Sequence, residues 1–288
     1  MKRNWKILKI IGWGVAVLIV IAYLVLPAGI GFFATLRYPE TVGSAPAGMT
    51  EITFSTIDQV KLNAWYCDAQ NGKTILLVHG ATDSREGVRK QAEFLVREGY
   101  GVLAYDQRGH GESGGDTVNG FGWESELDLN AAIGYIRSKQ PDVKIGAWGF
   151  SMGGEALMSA ASRLKLNAMI IDGATFRSTK DYIAIPSKAS LFVSFTTRVM
   201  YASAQLFGQT APPTPMIESI LKADATHFLF IAAGNKQNEI EYNTFFNQQI
   251  PYRSGIWVAP NVGHIKAYET YTAEYELQLM DFFDAYLQ

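Results

Sequence analysis

One serine stands where its neighbours could make it a nucleophile. The stretch Lys144–Ala156 ends an apolar run in Gly149-Phe150-Ser151-Met152-Gly153, and an Ala/Leu/Met-rich helical pattern follows to about Leu164. This is strand, sharp turn and helix with Ser151 at the apex, the G-x-S-x-G arrangement in which a strained turn lifts a serine clear of its surroundings. Strand and helix backbones pass so closely on either side of that serine that glycine is required there. The helix starting at once aims its unpaired N–H groups and its dipole at the place where negative charge develops during attack on a carbonyl. A serine hydroxyl is a poor attacker unless a base takes its proton. The chain offers four histidines for that task, His79, His110, His227 and His264.

The elements that must position these groups are legible as alternating patterns. Glu51–Ser55 and Val60–Cys67 alternate polar with apolar residues and predict an antiparallel pair. Thr74–Val78, Gly101–Tyr105, Ala168–Asp172, Phe228–Ala233 and Ser254–Val258 read as strands, the first three of them continuous apolar runs of the kind buried on both faces. Helical spacing covers about Ser84–Glu98, Glu124–Lys139, Glu241–Gln249 and Ala273–Tyr286. Strands alternating with helices imply an α/β fold with a mostly parallel sheet covered on both faces. Phe176–Thr226 breaks the alternation: between Lys188 and Glu218 the only charge is Arg198, and Pro212-Pro213-Thr214-Pro215 ends the segment. A short apolar, mostly helical cap insertion at about 177–226 is expected. Three roles stand open for it: shielding the core, walling an acyl pocket, or dipping towards a bilayer.

Composition narrows the function classes. Net charge is −2 and no basic block lies beyond the N-terminus, which argues against nucleic acid as a partner. Cys67 is the single cysteine, so no internal disulfide and no cysteine-based metal site is expected. Neither a P-loop nor a His-Glu-x-x-His spacing occurs, so no cofactor or metal is implied. Lys2, Arg3, Lys6 and Lys9 precede a run from Ile10 to Leu36 that carries no charge. With Ile7 and Leu8 its densest part reaches the roughly 20 residues that a spanning helix requires. A cleaved signal peptide has a shorter apolar core with small residues directly behind it. Residues 1–36 therefore read as an uncleaved membrane anchor, 37–50 as a tether and 51–288 as the globular domain. The basic flank places the N-terminus in the cytoplasm and the domain outside the membrane.

The elbow, the strand–His79-Gly80 turn and Asp106-x-Arg108-Gly109-x-Gly111-x-Ser113 occur in that order. Together they resemble the α/β-hydrolase superfamily across roughly Glu51–Gln288, and more narrowly the membrane-anchored bacterial serine hydrolases of the esterase and serine aminopeptidase-like branch. The resemblance implies Ser151 as nucleophile and His264 as base, just past the last strand. It implies an oxyanion site from the backbone N–H groups of Ala81 and Met152. It places the orienting acid after the strand Phe228–Ala233, where the usual aspartate is missing. Glu239 is the first choice, with Glu241 and Asp172 as the alternatives. His79 reads as a support for its own turn, His110 as structural or at the pocket rim, and His227 as incidental. Asp106 and Arg108 read as ties within their loop. The expected activity is cleavage of an ester, thioester or amide through an acyl-enzyme, with carboxylesterase chemistry ahead of peptidase chemistry. Acyl transfer by the same residues, and a catalytically silent binding module on the same fold, are the rival readings.

Overall fold

Continuous apolar runs such as Thr74–Val78 have no polar face to turn towards water, and they form the centre of a sheet. The computed structural model describes residues 2–115, 120–185 and 190–288. It begins with an apolar rod: helix α1 (Lys2–Val20), a π-helical turn (Ile21–Val25) and α2 (Leu26–Phe33). The segment Trp5–Phe33 is long and apolar enough to cross a membrane, its most apolar 18 residues having a mean hydropathy of 2.6. A two-residue strand β1 (Tyr38–Pro39) follows, then β2 (Thr50–Ser55), β3 (Lys61–Cys67) and β4 (Lys73–Val78). Helix α3 (Arg89–Arg97), β5 (Gly101–Tyr105), the short β6 (His110–Gly111), α4 (Ser125–Lys139) and β7 (Lys144–Phe150) come next. Then come α5 (Met152–Leu164), β8 (Ala168–Asp172), α6 (Thr179–Ile183), α7 (Leu191–Gly208) and α8 (Met216–Lys222). The chain closes with β9 (His227–Ala233), α9 (Gln237–Gln249), β10 (Ser254–Ala259), α10 (Ala267–Thr270) and α11 (Thr272–Tyr286).

Eight strands form one sheet in the order β10-β9-β8-β7-β4-β5-β3-β2. The six from β10 to β5 are parallel, and β3 and β2 add antiparallel edges. Successive residues of a strand face opposite sides, and the core divides accordingly. Leu76 and Val78 join Leu129, Leu157 and Phe246 on one face. Ile75 and Leu77 join Leu95, Leu279 and Phe283 on the other. This is the α/β-hydrolase fold, with helices α4, α5, α8 and α9 on one layer and α3 and α11 on the other.

Several boundaries differ from the expectation for physical reasons. The helix expected from Ser84 opens as a 3₁₀ turn, Arg85–Val88, capped by the Ser84 hydroxyl, and α3 starts only at Arg89. Helix α9 begins at Gln237 rather than near 241, so Glu239 lies in its first turn and not in a loop. Within the expected insertion 177–226, residues 186–189 lie outside the described residues. Its last helix, α8, belongs to the body of the domain, because Met216 and Ile220 are fully buried against α5. The segment 37–50, expected as a tether, is laid along the domain. Tyr38 and Pro39 pair with His110 and Gly111, Val42 and Met49 are buried, and Arg89 donates to the Ser44 carbonyl at 2.8 Å.

The elbow explains its own glycines. A Cβ at Gly149 would lie 2.7 Å from the backbone of Gly153 and Gly154, and one at Gly153 would fall on the carbonyl oxygens of Val78 and His79. Gly153→Ala is therefore expected to force α5 off the sheet. It should destabilise the protein by about 1–3 kcal/mol and lower Tm by several degrees in a thermal scan of the detergent-solubilised chain. An unchanged Tm would contradict the packing described here.

Candidate active site

Ser151 sits between β7 and α5 with φ 49° and ψ −119°, backbone angles that a residue with a side chain rarely adopts. Its N–H donates to the Asp172 carbonyl at 2.7 Å, which clamps the turn to the end of β8. The turn aims the hydroxyl at His264, whose Nε2 lies 2.9 Å from Ser151 Oγ. The loop after β10 carries that imidazole past Gly173. This glycine has φ 74°, and a Cβ on it would stand 3.0 Å from His264 Cε1. No local sequence pattern marks Gly173, because what it makes room for comes from more than ninety residues further along the chain.

The third member comes from α9. Glu239 is buried, and its Oε1 accepts from His264 Nδ1 at 2.7 Å while Oε2 accepts from the Ala233 N–H at 3.0 Å. Nδ1 must carry the proton to donate to a carboxylate, which leaves Nε2 free to accept from the Ser151 hydroxyl. The hydrogen bond to Glu239 raises the His264 pKa above the ordinary histidine value, against the opposing effect of burial. Of the other two candidate acids, Glu241 lies one residue beyond the Glu239–Ile240 pair on α9 and pairs with Gln237 at 3.1 Å. Asp172 points elsewhere: its Oδ2 accepts from Tyr275 Oη at 2.8 Å, and Tyr275 Oη in turn accepts from the Trp148 indole at 3.0 Å. Burial pushes Asp172 up to about 7.

The remaining histidines do local work. His79 Nε2 accepts from the Gln107 N–H at 2.9 Å, so its Nδ1 donates to the Gly80 carbonyl at 2.7 Å. Burial pulls its pKa down to about 3 and keeps it neutral. His110 stacks on Tyr38 and reaches the pocket wall. His227 stacks on Tyr286 at 3.9 Å, away from these groups at the start of β9. Asp106 pairs with Arg85, and Arg108 with Asp58, Glu124 and Asp128, so both tie loops together. Among the described residues no cluster of three His, Cys, Asp or Glu side chains is disposed to hold a metal ion.

Ser151 opens into a cavity of about 470 Å³ that Ala81 and Met152 also line. Its walls are mainly apolar and include Ile30, Phe33, Phe121 and Phe176. Two of these were not foreseen as site residues: Ile30 and Phe33 belong to the N-terminal rod. From Ile10 onward the rod carries no charge, so periodicity marks no face and gives no signal that its last turns reach the site. Two further polar residues were not foreseen, the buried Arg177 and the partly exposed Glu155. Arg177 donates to the Met152 carbonyl at 3.2 Å and to that of Gly122. Glu155, at the pocket, accepts at 3.0 Å from both the N–H and the hydroxyl of Thr175.

Fold and site define an α/β-hydrolase. A family model described as "Serine aminopeptidase, S33" matches residues 69–227, more than half of the chain, and the chain belongs to that family. It is 27% identical over 213 residues to thiohydrolase aneE of Aspergillus aculeatus, spanning 70% of this chain and 64% of that relative. It is 25% identical over 181 residues to a monoacylglycerol lipase of Mycolicibacterium smegmatis, spanning 61% of this chain and 59% of the lipase. Among solved structures, an esterase of Pyrococcus furiosus superposes with a TM-score of 0.71 at 23% identity, covering 88% of this chain and 99% of the esterase. A carboxyl esterase of Bacillus coagulans superposes with a TM-score of 0.63 at 15% identity, covering 84% and 100%. At these identities the structural likeness speaks to the fold.

Proposed function

We propose that the protein is a membrane-tethered serine hydrolase that cleaves a carboxylic ester through an acyl-enzyme. The observation that carries this reading is the chain of two hydrogen bonds, Ser151 to His264 at 2.9 Å and His264 to Glu239 at 2.7 Å. Ser151 Oγ attacks the ester carbonyl as His264 Nε2 takes its proton. The imidazolium, held by Glu239, then returns that proton to the leaving alcohol. Water repeats the sequence on the acyl-enzyme and releases the carboxylate. The N–H groups of Ala81 and Met152 are the proposed donors to the oxyanion, each worth about 2.7–4 kcal/mol in the transition state. Esterases among the structural neighbours, and a thiohydrolase and a lipase among the relatives, support carbonyl attack over a silent binding role. The apolar pocket walls favour an acyl group as the part of the substrate that is held. Residues 1–36 serve as the anchor in this reading, with the N-terminus cytoplasmic and residues 51–288 outside the membrane.

Covalent labelling with a fluorophosphonate tests it. The full chain in detergent micelles is expected to label at Ser151, with the rate rising with pH as His264 loses its proton. A folded protein that does not label would refute the mechanism.

A further inference from the structure

We propose that the N-terminal helix completes the active site, and that the seam between it and the cap helix α7 admits the acyl chain of a bilayer-resident ester to Ser151. The inference rests on the hydrolase reading and on the anchor, and it names what that hydrolase takes and from where.

Length comes first. Trp5–Phe33 is 29 residues long, about 43 Å at a rise of 1.5 Å per residue, against a hydrocarbon core of about 30 Å. Lys6 and Lys9 stay at the cytoplasmic headgroups, so the charge-free part begins at Ile10, and a span of about 20 residues from there ends near Gly29, which brings α2 to the outer headgroup level. There α2 is packed along α7. The ring of Tyr23 meets Phe192 edge-on at 4.4 Å and Phe32 meets Phe207 at 5.0 Å, so the contacts advance together and the two helices run parallel. The approach is close. Ser203 Oγ donates to the Ala28 carbonyl at 2.7 Å, and a Cβ on Gly31 would fall on the Met200 carbonyl oxygen. Small residues and a hydroxyl at a helix contact are how helices dock where lipid removes the hydrophobic incentive.

Parallel alignment puts the first turns of α7 on the bilayer side. Those turns present Leu191, Phe192 and Phe195 outward, exposed by 93%, 48% and 47%. Side chains of this size clustered beside a spanning helix fit acyl chains and not water. A second cavity of about 300 Å³ opens at this end, between Ala22 and Leu26 of the rod and Phe192 and Thr196 of α7. Ile30 and Phe176 line both this cavity and the one that holds Ser151. Ile30 and Phe176 thus stand between the two cavities, and the proposed acyl path runs from the bilayer end of the seam past these side chains to the nucleophile, with one wall supplied by the N-terminal helix. Attack at Ser151 breaks the acyl–oxygen bond, the alcohol leaves with the proton from His264, and water frees the fatty carboxylate to return along the same path.

The test uses the full chain in phosphatidylcholine–phosphatidylglycerol vesicles with butyryl and palmitoyl glycerol esters, each preparation checked by fluorophosphonate labelling. Thr196→Trp fills the outer cavity from α7 and Ala22→Trp fills it from the rod. Each is expected to lower the ratio of palmitoyl to butyryl turnover at least tenfold while labelling persists. Ala22 precedes the domain, so its variant decides the matter if Thr196→Trp does not fold. Turnover of the palmitoyl ester should follow its mole fraction in the bilayer when inert lipid is added at constant bulk concentration. An unchanged ratio in labelled variants, or turnover that follows bulk concentration, would overturn the seam and leave the hydrolase standing. A wild type that neither labels nor cleaves either ester would remove both.

Discussion

Ser151→Ala is expected to lower kcat on a butyryl ester by about 10⁴–10⁶-fold with KM nearly unchanged. In the proposed mechanism, removing Ser151 deletes the acyl-enzyme route altogether, while the apolar pocket and the proposed N–H donors remain. What survives is the smaller acceleration from binding and from oxyanion stabilisation of direct attack by water. The substitution should be tolerated structurally. The serine is held by its backbone N–H to Asp172 at 2.7 Å, and its side chain makes the contact to His264 rather than a core contact. The measurement is steady-state turnover with the full chain in detergent, beside a thermal scan that shows the variant folded. A folded variant retaining one per cent of wild-type kcat would mean that another group does the chemistry.

Glu239→Gln should be nearly as damaging, about 10³–10⁴-fold in kcat, for a different reason. The amide has the shape of the carboxylate but can present N–H to His264 Nδ1. That stabilises the tautomer with its proton on Nε2, facing Ser151, where it cannot accept the hydroxyl proton. The pH profile separates this from a general loss of structure. The proposed mechanism requires neutral His264, and the hydrogen bond to Glu239 raises its pKa. The acid limb of kcat/KM in the wild type therefore lies above the ordinary histidine value, and in the variant it should move to lower pH. Stability follows the same linkage. A folded-state pKa raised above the unfolded value contributes stability that is present below the unfolded pKa and fades as pH rises through the folded one. The variant should lose that contribution on the acidic side. If Asp172 were the orienting acid, Asp172→Asn would be the severe change and Glu239→Gln the mild one. The hydrogen bond from Tyr275 to Asp172 Oδ2 argues for the opposite order.

Much of this arrangement follows from local sequence. The central sheet strands are runs of five to seven residues whose apolar content leaves them no exposed face, and the observed β4, β5, β7, β8 and β9 fall on or within a residue of the runs read for them. The elbow motif is equally local, since Gly149, Ser151 and Gly153 lie within five residues, and the clash at Gly149 arises where one strand turns directly into one helix. The demand for glycine at 153 is not local, because the carbonyls it must clear are those of Val78 and His79 at the end of β4. The acid was harder to choose because it depends on a helix boundary. Pattern alone starts α9 near 241, whereas Lys236 and the turn after β9 start it at Gln237, and that shift carries Glu239 towards His264.

The N-terminal apolar helix illustrates the limit most clearly. From sequence it is a uniform apolar run, long enough to span and with no side distinguished from another, and so it reads as a unit apart from the domain. Only the tertiary structure brings Gly31 and Ala28 against α7, some 170 residues away in the chain, and with them Ile30 and Phe33 into the wall of the Ser151 cavity. Composition determines which segments are buried or can enter lipid. Which distant surfaces meet is decided by close packing of particular shapes, and a one-dimensional apolar pattern carries no record of that.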